Sequence, residues 1–455
     1  MEPLAGLRRI SSMKLVAVLV VLVGATAGAV GYGGLGGAPE LRAVHAQADA
    51  VRRGDGALLA AFEHKGRAWL RWVRPLTLEP ASPPLRVTGD YISDVALSPD
   101  SGTLAVGSAT HGRIDFVDLR RWRSLGSMRV RGARPAGYRG VYGLVWAGER
   151  RLLALAGPPY MRAWPVVVDP VGRRVVHRAA LRGTPIRWRP AGKRVVFLSV
   201  PERPSALPRA QLFSYDTAGR LRRQRLARIV AGNWRRGRGP WRRVEPGLAA
   251  TSERAYVLAA DGRLAAEVDL RRWRLEYEDV AEARSAWQRL GDLIEPLAHA
   301  KGPLESSTRD AHVLPGGAIA VTGEDMESTG EPHDVRTTGY GVRLIDPASW
   351  TWRGVDAEAQ YMTVAGGVLL ARRWSCRGCI NALPSIGVRA YDTAGGLRFT
   401  RFAGADVRVL GAAGGHAYVG VRRGRLRRIH VIELATGDTV RVLPHRELLL
   451  LDPRR

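Results

Sequence analysis

The sequence predicts an all-β protein, a β-propeller of four-stranded blades, and three observations carry that prediction. First, one short pattern recurs along the chain: an apolar strand, an acidic residue, then a turn. Its acidic residues are Asp118, Asp169, Asp216, Asp269, Asp346, Asp392 and Glu433, separated by 51, 47, 53, 77, 46 and 41 residues. Second, each copy follows two strand-like runs and precedes a last one, as in Asp94–Ser98, Thr103–Ser108 and Ser127–Val130 around Asp118. Four short strands in about 40–50 residues is the size of one propeller blade. Third, the last unit ends near Val442, yet Arg446–Leu451 supplies one more apolar strand. The first unit begins at Ala57 and lacks its innermost strand. Pairing Arg446–Leu451 with Ala57–Phe62 would close the ring and remove its open edge. With the degenerate copy Trp72-Val73-Arg74-Pro75, the count is eight blades, or seven if one unit is irregular.

The acidic residue has a mechanical role. An Asp at the start of a turn accepts hydrogen bonds from backbone N–H groups one to four residues on. Asp216-Thr217-Ala218-Gly219, Asp392-Thr393-Ala394-Gly395 and Glu433-Leu434-Ala435-Thr436-Gly437 read as such turns between third and fourth strands. These acids are therefore structural, with no catalytic part.

Ser98-Pro99-Asp100-Ser101-Gly102 followed by Thr103-Leu104-Ala105-Val106 resembles the strand–turn–strand signature of bacterial WD-repeat-like and YVTN-type β-propellers. The turn Glu433–Gly437 resembles that of quinoprotein-type propellers. The resemblance spans most of residues 57–451 and implies a fold, not an activity. Trp122, Trp273 and Trp352 read as scattered, without the regular tryptophan docking of the quinoprotein family, so no quinone and no other cofactor is expected.

Residues 1–31 decide the expected compartment. Arg8, Arg9 and Lys14 precede an apolar run from Leu15 to Val23, and Ala17 to Val30 stays apolar or small. Ala25-Thr26-Ala27 offers a cleavage site. Cleaved or retained as an anchor, this segment places the rest of the chain outside the cytoplasm. The organisation read from sequence is a signal peptide or membrane anchor over 1–31, a linker over 32–55, and a propeller over 56–455. The net charge is +28, from 70 basic against 42 acidic residues. Only Lys14, Lys65, Lys193 and Lys301 are lysines. Arginine-rich codon usage and a selected affinity for a polyanion both account for that balance.

Four insertions interrupt the repeat. Asn233–Arg243 carries Arg235, Arg236, Arg238, Arg242 and Arg243 interleaved with Trp234 and Trp241. Guanidinium groups beside aromatic faces suit phosphate or sugar polymers, so these seven residues are the candidate polyanion-binding set. Gly237, Gly239 and Pro240 argue against a strand there. An insertion over 281–306 contains Ala281–Lys301, whose Trp287, Leu290, Ile294 and Leu297 share one face of a helix. An insertion over 323–339 gathers Glu324, Asp325, Glu327, Glu331, His333 and Asp334 in a hairpin loop. Its spacing matches no EF-hand, so a solvated loop is expected in place of a metal site. Cys376 and Cys379 are the only cysteines, and in an exported protein the pair is expected to form a small disulfide ring.

No nucleophile motif and no phosphate loop precedes a helix. The expected function is a ligand-binding or protein-interaction scaffold outside the cytoplasm, secreted or anchored by the N-terminal segment. Its partner would be an anionic cell-envelope polymer, a membrane surface or another protein, with no nucleic acid. The alternative is an enzyme whose site lies in the central channel: a lyase, a hydrolase or a quinoprotein-like dehydrogenase. Converging His, Glu and Arg side chains at the axis would favour the enzyme. A channel lined by backbone and small residues would favour the scaffold.

Overall fold

A computed structural model describes residues 52–450 apart from connecting stretches, the longest being 131–139, 235–241, 284–303 and 374–383. Among the described residues the secondary structure is strand and turn, with no helix. The strands form eight sheets that follow one another along the chain, antiparallel except for two short parallel pairings in the sixth. The second blade is typical: Ile92–Leu97, Thr103–Ser108, Arg113–Asp118 and Arg123–Arg129 pair in sequence order. The middle strands read as nearly continuous apolar runs because both faces of each blade are covered. Leu152–Gly157, for example, is buried along its whole length.

The ring closes as the sequence predicts. The first blade contains Leu58–Glu63, Ala68–Val73 and Leu85–Arg86, and its innermost strand is Leu448–Leu450. That strand pairs antiparallel with Ala60–Phe62. Eight apolar cores lie between consecutive blades, each joining one sheet to the next. Leu59, Trp72, Val95 and Leu104 join the first blade to the second. Leu58, Leu410, Tyr418 and Leu450 join the eighth to the first, so the circuit has no gap.

The repeated acids sit where the turn argument puts them. Asp118 Oδ1 accepts the N–H groups of Arg120 (3.0 Å) and Arg121 (2.9 Å). Asp169 accepts those of Val171 and Gly172, and Asp269 those of Arg271 and Arg272. These N–H groups hold the Asp169 and Asp269 carboxyls below the usual range. The fourth residue after the acid takes a left-handed conformation at Trp122 (φ 51), Trp273 (φ 62) and Trp350 (φ 53).

This placement corrects the reading of the tryptophans as scattered. Trp122 Nε1 donates to the Pro83 carbonyl of the preceding blade at 2.8 Å. Trp273 Nε1 donates to the Arg223 carbonyl of the blade before it at 3.2 Å. Trp350 is buried edge-on against Tyr256 of the blade before it, ring centroids 6.0 Å apart. The third member is Trp350, not Trp352. Three outer turns thus dock an indole onto the neighbouring blade, because the left-handed residue turns its side chain back across the gap.

Two insertions also differ from expectation. Ala281–Glu282, expected to open a helix, is a short strand parallel to Thr351–Trp352. The remainder, 284–303, lies outside the described residues, and Leu304–Val313 already belongs to the innermost strand of the sixth blade. The two ends of the acidic segment are strand where a loop was expected, Glu324–Ser328 pairing with Val335–Gly339, while Glu331, His333 and Asp334 lie outside the described residues.

Removing residues 446–455 is expected to lower the melting temperature of the whole ring in a single transition, since it reopens the edge at Ala60–Phe62. Leu450→Ala, at 3% exposure, should cost about 2–5 kcal/mol. Chemical denaturation of both variants measures this, and unchanged stability in both would remove closure as a structural determinant.

Candidate functional site

Antiparallel pairing within each blade sorts the connections onto two sides of the ring. First-to-second and third-to-fourth turns lie on one side and are tight. Second-to-third and blade-to-blade connections lie on the other. All four insertions arise from connections of the second kind, in the fourth to seventh blades. The candidate polyanion segment is one of them. Gly232–Trp234 and Arg242–Glu245 pair as the strands of a hairpin, so the two ends of the segment are strand where none was expected, while 235–241, with Gly237, Gly239 and Pro240, lie outside the described residues. The hairpin does not join either blade it connects. Arg243–Glu245 pairs parallel with Ser306–Thr308, adding strands to the innermost edge of the sixth blade.

A buried polar cluster is assembled beneath this hairpin. Thr184–Ala191, the innermost strand of the fourth blade, projects Arg187 and Arg189 to one face, while Trp188 packs into the core behind. The Arg187 guanidinium lies 2.9 Å from Glu245, which is almost wholly buried and also pairs with Arg243. Its Nε donates to the Arg309 carbonyl at 3.3 Å. Arg189 pairs with Asp310 and donates to the Ala311 carbonyl at 3.2 Å. Its guanidinium stands 3.5 Å from His312 Nε2, which contacts Asp310 at 3.0 Å.

The logic of this arrangement is edge satisfaction. The hairpin covers the inner edge of the sixth blade only as far as Thr308. Beyond it, the carbonyls of Arg309 and Ala311 would be buried edge groups without a strand to meet them. Two arginines from the fourth blade supply the donors. They reach past the innermost strand of the fifth blade, Gly247–Ala250, in which every residue but Leu248 is small. A Cβ on Gly247 would stand only 3.1 Å from that of Ala311, so the close approach of the two strands favours glycine there.

Deeper in the sixth blade, Arg309 and Asp325 form an ion pair at 2.7 Å, with side chains 2% and 5% exposed. Arg309 also donates to the Glu324 carbonyl and lies 3.7 Å over the Tyr340 ring. Arg343 stacks on Tyr340 and on Trp352 at 4.0 and 4.1 Å. Asp325 was grouped with a solvated acidic loop; it is instead buried as the counter-ion of Arg309. Glu324, in the same strand, accepts the Tyr361 hydroxyl at 3.2 Å. Among the described residues no three metal-ligating side chains converge.

Asp310 is the member of this cluster most open to solvent, its side chain 39% exposed. Desolvation pushes its carboxyl upward, but His312 and Arg189 hold it well below the usual carboxylate range. On the tight-turn side, a cavity of about 380 Å³ lies between the innermost strand ends of the second to fifth blades. Leu97, Leu144, Trp146, Pro190, Ala250 and Thr251 are among its lining residues, and Pro190 directly follows Arg189. The axis thus presents both features the sequence set against each other: converging charged groups and a mouth lined by small and apolar residues.

Of the seven candidate polyanion residues, Arg243 is placed in the cluster, while Trp234 and Arg242 are placed as backbone in the hairpin strands. Arg235, Arg236, Arg238 and Trp241 lie outside the described residues, as do Cys376 and Cys379 with their expected disulfide. Arg187, Arg189, Glu245, Arg309 and Asp310 were not singled out from sequence. The available signal was alternation: Arg187-Trp188-Arg189 and Asp310-Ala311-His312 each place two polar side chains on one face of a strand.

No protein-family profile matches the chain, and no curated protein matches it either. Solved structures do match. The dihydro-heme d1 dehydrogenase NirN, solved with DHE, aligns at TM-score 0.52 and 12% identity, over 86% of this chain and 74% of its own. A putative dipeptidyl aminopeptidase IV from Bacteroides ovatus ATCC 8483 aligns at 0.49 and 8%, over 86% and 59%. Apo AztD from Citrobacter koseri aligns at 0.45 and 9%, over 86% and 96%. At such identities the likeness is one of fold. The chain is a β-propeller of the repeated four-stranded type.

Asp310→Asn is expected to alter the acid limb of stability in a defined direction. A carboxyl held below its unfolded value of about 3.9 stabilises the fold above that pH and loses the contribution as pH falls through its folded value. Wild type should therefore exceed the variant in melting temperature at neutral pH, and the gap should narrow below about pH 4. A gap constant across the acid range, followed by thermal melts, would refute this role for Asp310.

Proposed function

We propose that this protein is a non-catalytic binding propeller of the cell envelope, held outside the cytoplasm by its N-terminal segment. The ligand surface in this reading is the insertion side of the fourth to seventh blades. The observation that carries it is the state of the charged groups at the axis. Arg187, Arg189 and Arg309 are each committed to a carboxylate and to a backbone carbonyl. Such groups fix the position of the Arg/Trp hairpin and of the sixth blade; they form a frame for a surface. A partner rich in phosphate or carboxylate groups matches the arginines of the hairpin.

A second reading rests on one observation. Asp310 and His312 form a contact at 3.0 Å with Asp310 partly open. A carboxylate that orients an imidazole is the arrangement a general base uses, so a hydrolase or lyase acting at the axis follows if a substrate reaches it.

Two measurements test the first reading. An alkaline phosphatase fused after residue 60 should be active in intact cells; an inactive fusion would remove the extracytoplasmic assignment. Binding to polyglycerol phosphate should weaken steeply between low and physiological salt, because exposed ion contacts are screened within about 8–10 Å. Arg235, Arg236, Arg238 and Arg242 changed together to Gln should flatten that slope, with Arg243 kept because it neutralises Glu245. If the fourfold variant keeps the wild-type affinity and salt slope, the hairpin is not the contact.

A further inference from the structure

We infer that the outer part of the eighth blade is a docking surface for an anionic lipid bilayer. The inference rests on the reading of the protein as membrane-tethered and names the surface that meets the membrane. It concerns a different part of the ring from the Arg/Trp hairpin.

The eighth blade ends in the strands Leu426–Glu433 and Thr439–Pro444. Large apolar side chains are strongly exposed at few described positions in the chain, and three of them are here: Leu426 at 68%, Val442 at 51% and Val440 at 50%. The register joins them to basic residues. Leu426 lies opposite Arg423 and Val442 opposite His430, so Arg423, Leu426, Arg428, Val440 and Val442 share one face of the outer strands, with Arg427 and Arg441 on the other face of the same edge. Arg423, Arg427, Arg428 and Arg441 are all exposed.

Among the described residues no ion pair joins an acid of this blade to Arg423, Arg427, Arg428 or Arg441. Asp406 pairs with Arg422, Asp438 with Arg401 of the seventh blade, and Glu433 accepts the Thr436 hydroxyl in its turn. Exposed aliphatic groups amid arginines fit the headgroup boundary of an anionic bilayer, where the charge meets phosphate and the apolar groups enter the acyl margin. A second copy of this chain fits poorly. Bringing two copies of this edge together would juxtapose the exposed Arg427, Arg428 and Arg441 of each, and like charges brought close are destabilising.

The tether points to the same blade. Arg52 is where the described chain begins, and its guanidinium packs against Gly414, in the first-to-second turn of the eighth blade. Residues 31–51 separate Arg52 from the apolar N-terminal run. That length spans at most about 70 Å, so the eighth blade can meet the membrane that holds the run.

The test uses the full chain with two kinds of vesicle, phosphatidylcholine alone and phosphatidylcholine with phosphatidylglycerol, followed by hydrogen exchange. Amides in Leu426–Arg428 and Thr439–Pro444 should exchange roughly tenfold more slowly on the anionic vesicles. The triple variant Arg427→Gln, Arg428→Gln, Arg441→Gln should lose that slowing, with unchanged exchange in Val195–Leu198 as evidence of an intact ring. Identical exchange on both vesicles, or slowing that survives in the triple variant, overturns the blade-eight surface while leaving the tether reading intact. A chain that floats with neither vesicle overturns both.

Discussion

Face-to-face apolar packing between neighbouring blades is the constraint on which the rest of this molecule depends. A four-stranded sheet alone leaves two apolar faces in water. Here each face is covered by the next blade, and the eight cores form a circuit that Leu450 completes beside Leu58 and Leu410. Because the circuit is closed, the most distant parts of the sequence share one core. Non-local closure of this kind is kinetically slow but leaves few free edges. The turn acids and docking tryptophans act on top of it. They fix the angle at which one blade meets the next, and Trp122 and Trp273 do so with a single hydrogen bond each to a neighbour's carbonyl.

The sixth blade shows what happens where this regularity is broken. Its sheet has eight strands, with the Arg/Trp hairpin at the inner edge and the Glu324–Gly339 hairpin extending its second strand. A parallel strand at the axis leaves backbone carbonyls that ordinary blade geometry cannot satisfy. Arg187 and Arg189 meet them from two blades away, and Glu245 and Asp310 balance the charge brought in. Arginine suits this task better than lysine: its planar fork meets a carbonyl and a carboxylate at once and stays charged when buried. The abundance of arginine thus has a local structural use here, whatever its genomic origin.

The repeat, the closing strand and the role of the acids were legible in the sequence, because each is a local signal repeated many times. Asp118, Asp169 and Asp269 each precede the N–H groups they bind by two and three residues, so spacing alone reveals them. The docking tryptophans were legible in principle, since Trp122, Trp273 and Trp350 each stand four residues after the acid. Trp352, two residues on, breaks that spacing, and only Trp350 completes it. The axial cluster was not legible in the same way. Arg187 meets Glu245 and Arg309, 58 and 122 residues away in the chain, and only the closed ring brings them together. Burial of Asp325 was hidden for a related reason: its neighbours in sequence are acidic, while its counter-ion is on the facing strand.

The sidedness of the ring connects these observations to its use. The side bearing the acid turns is fixed by acid-to-backbone hydrogen bonds in the second to seventh blades, which leaves little room for added chain there. Second-to-third and blade-to-blade connections carry no such repeated device. Insertions there alter nothing in the packing, provided that any strand they add is satisfied. The Arg/Trp hairpin meets that condition through Ser306–Thr308 and the two axial arginines. A rigid closed scaffold with variable segments gathered on one side is the architecture that suits recognition, because the segments can change while their base stays fixed. The axial charge cluster serves that base: it anchors the hairpin to the blade whose edge the hairpin extends.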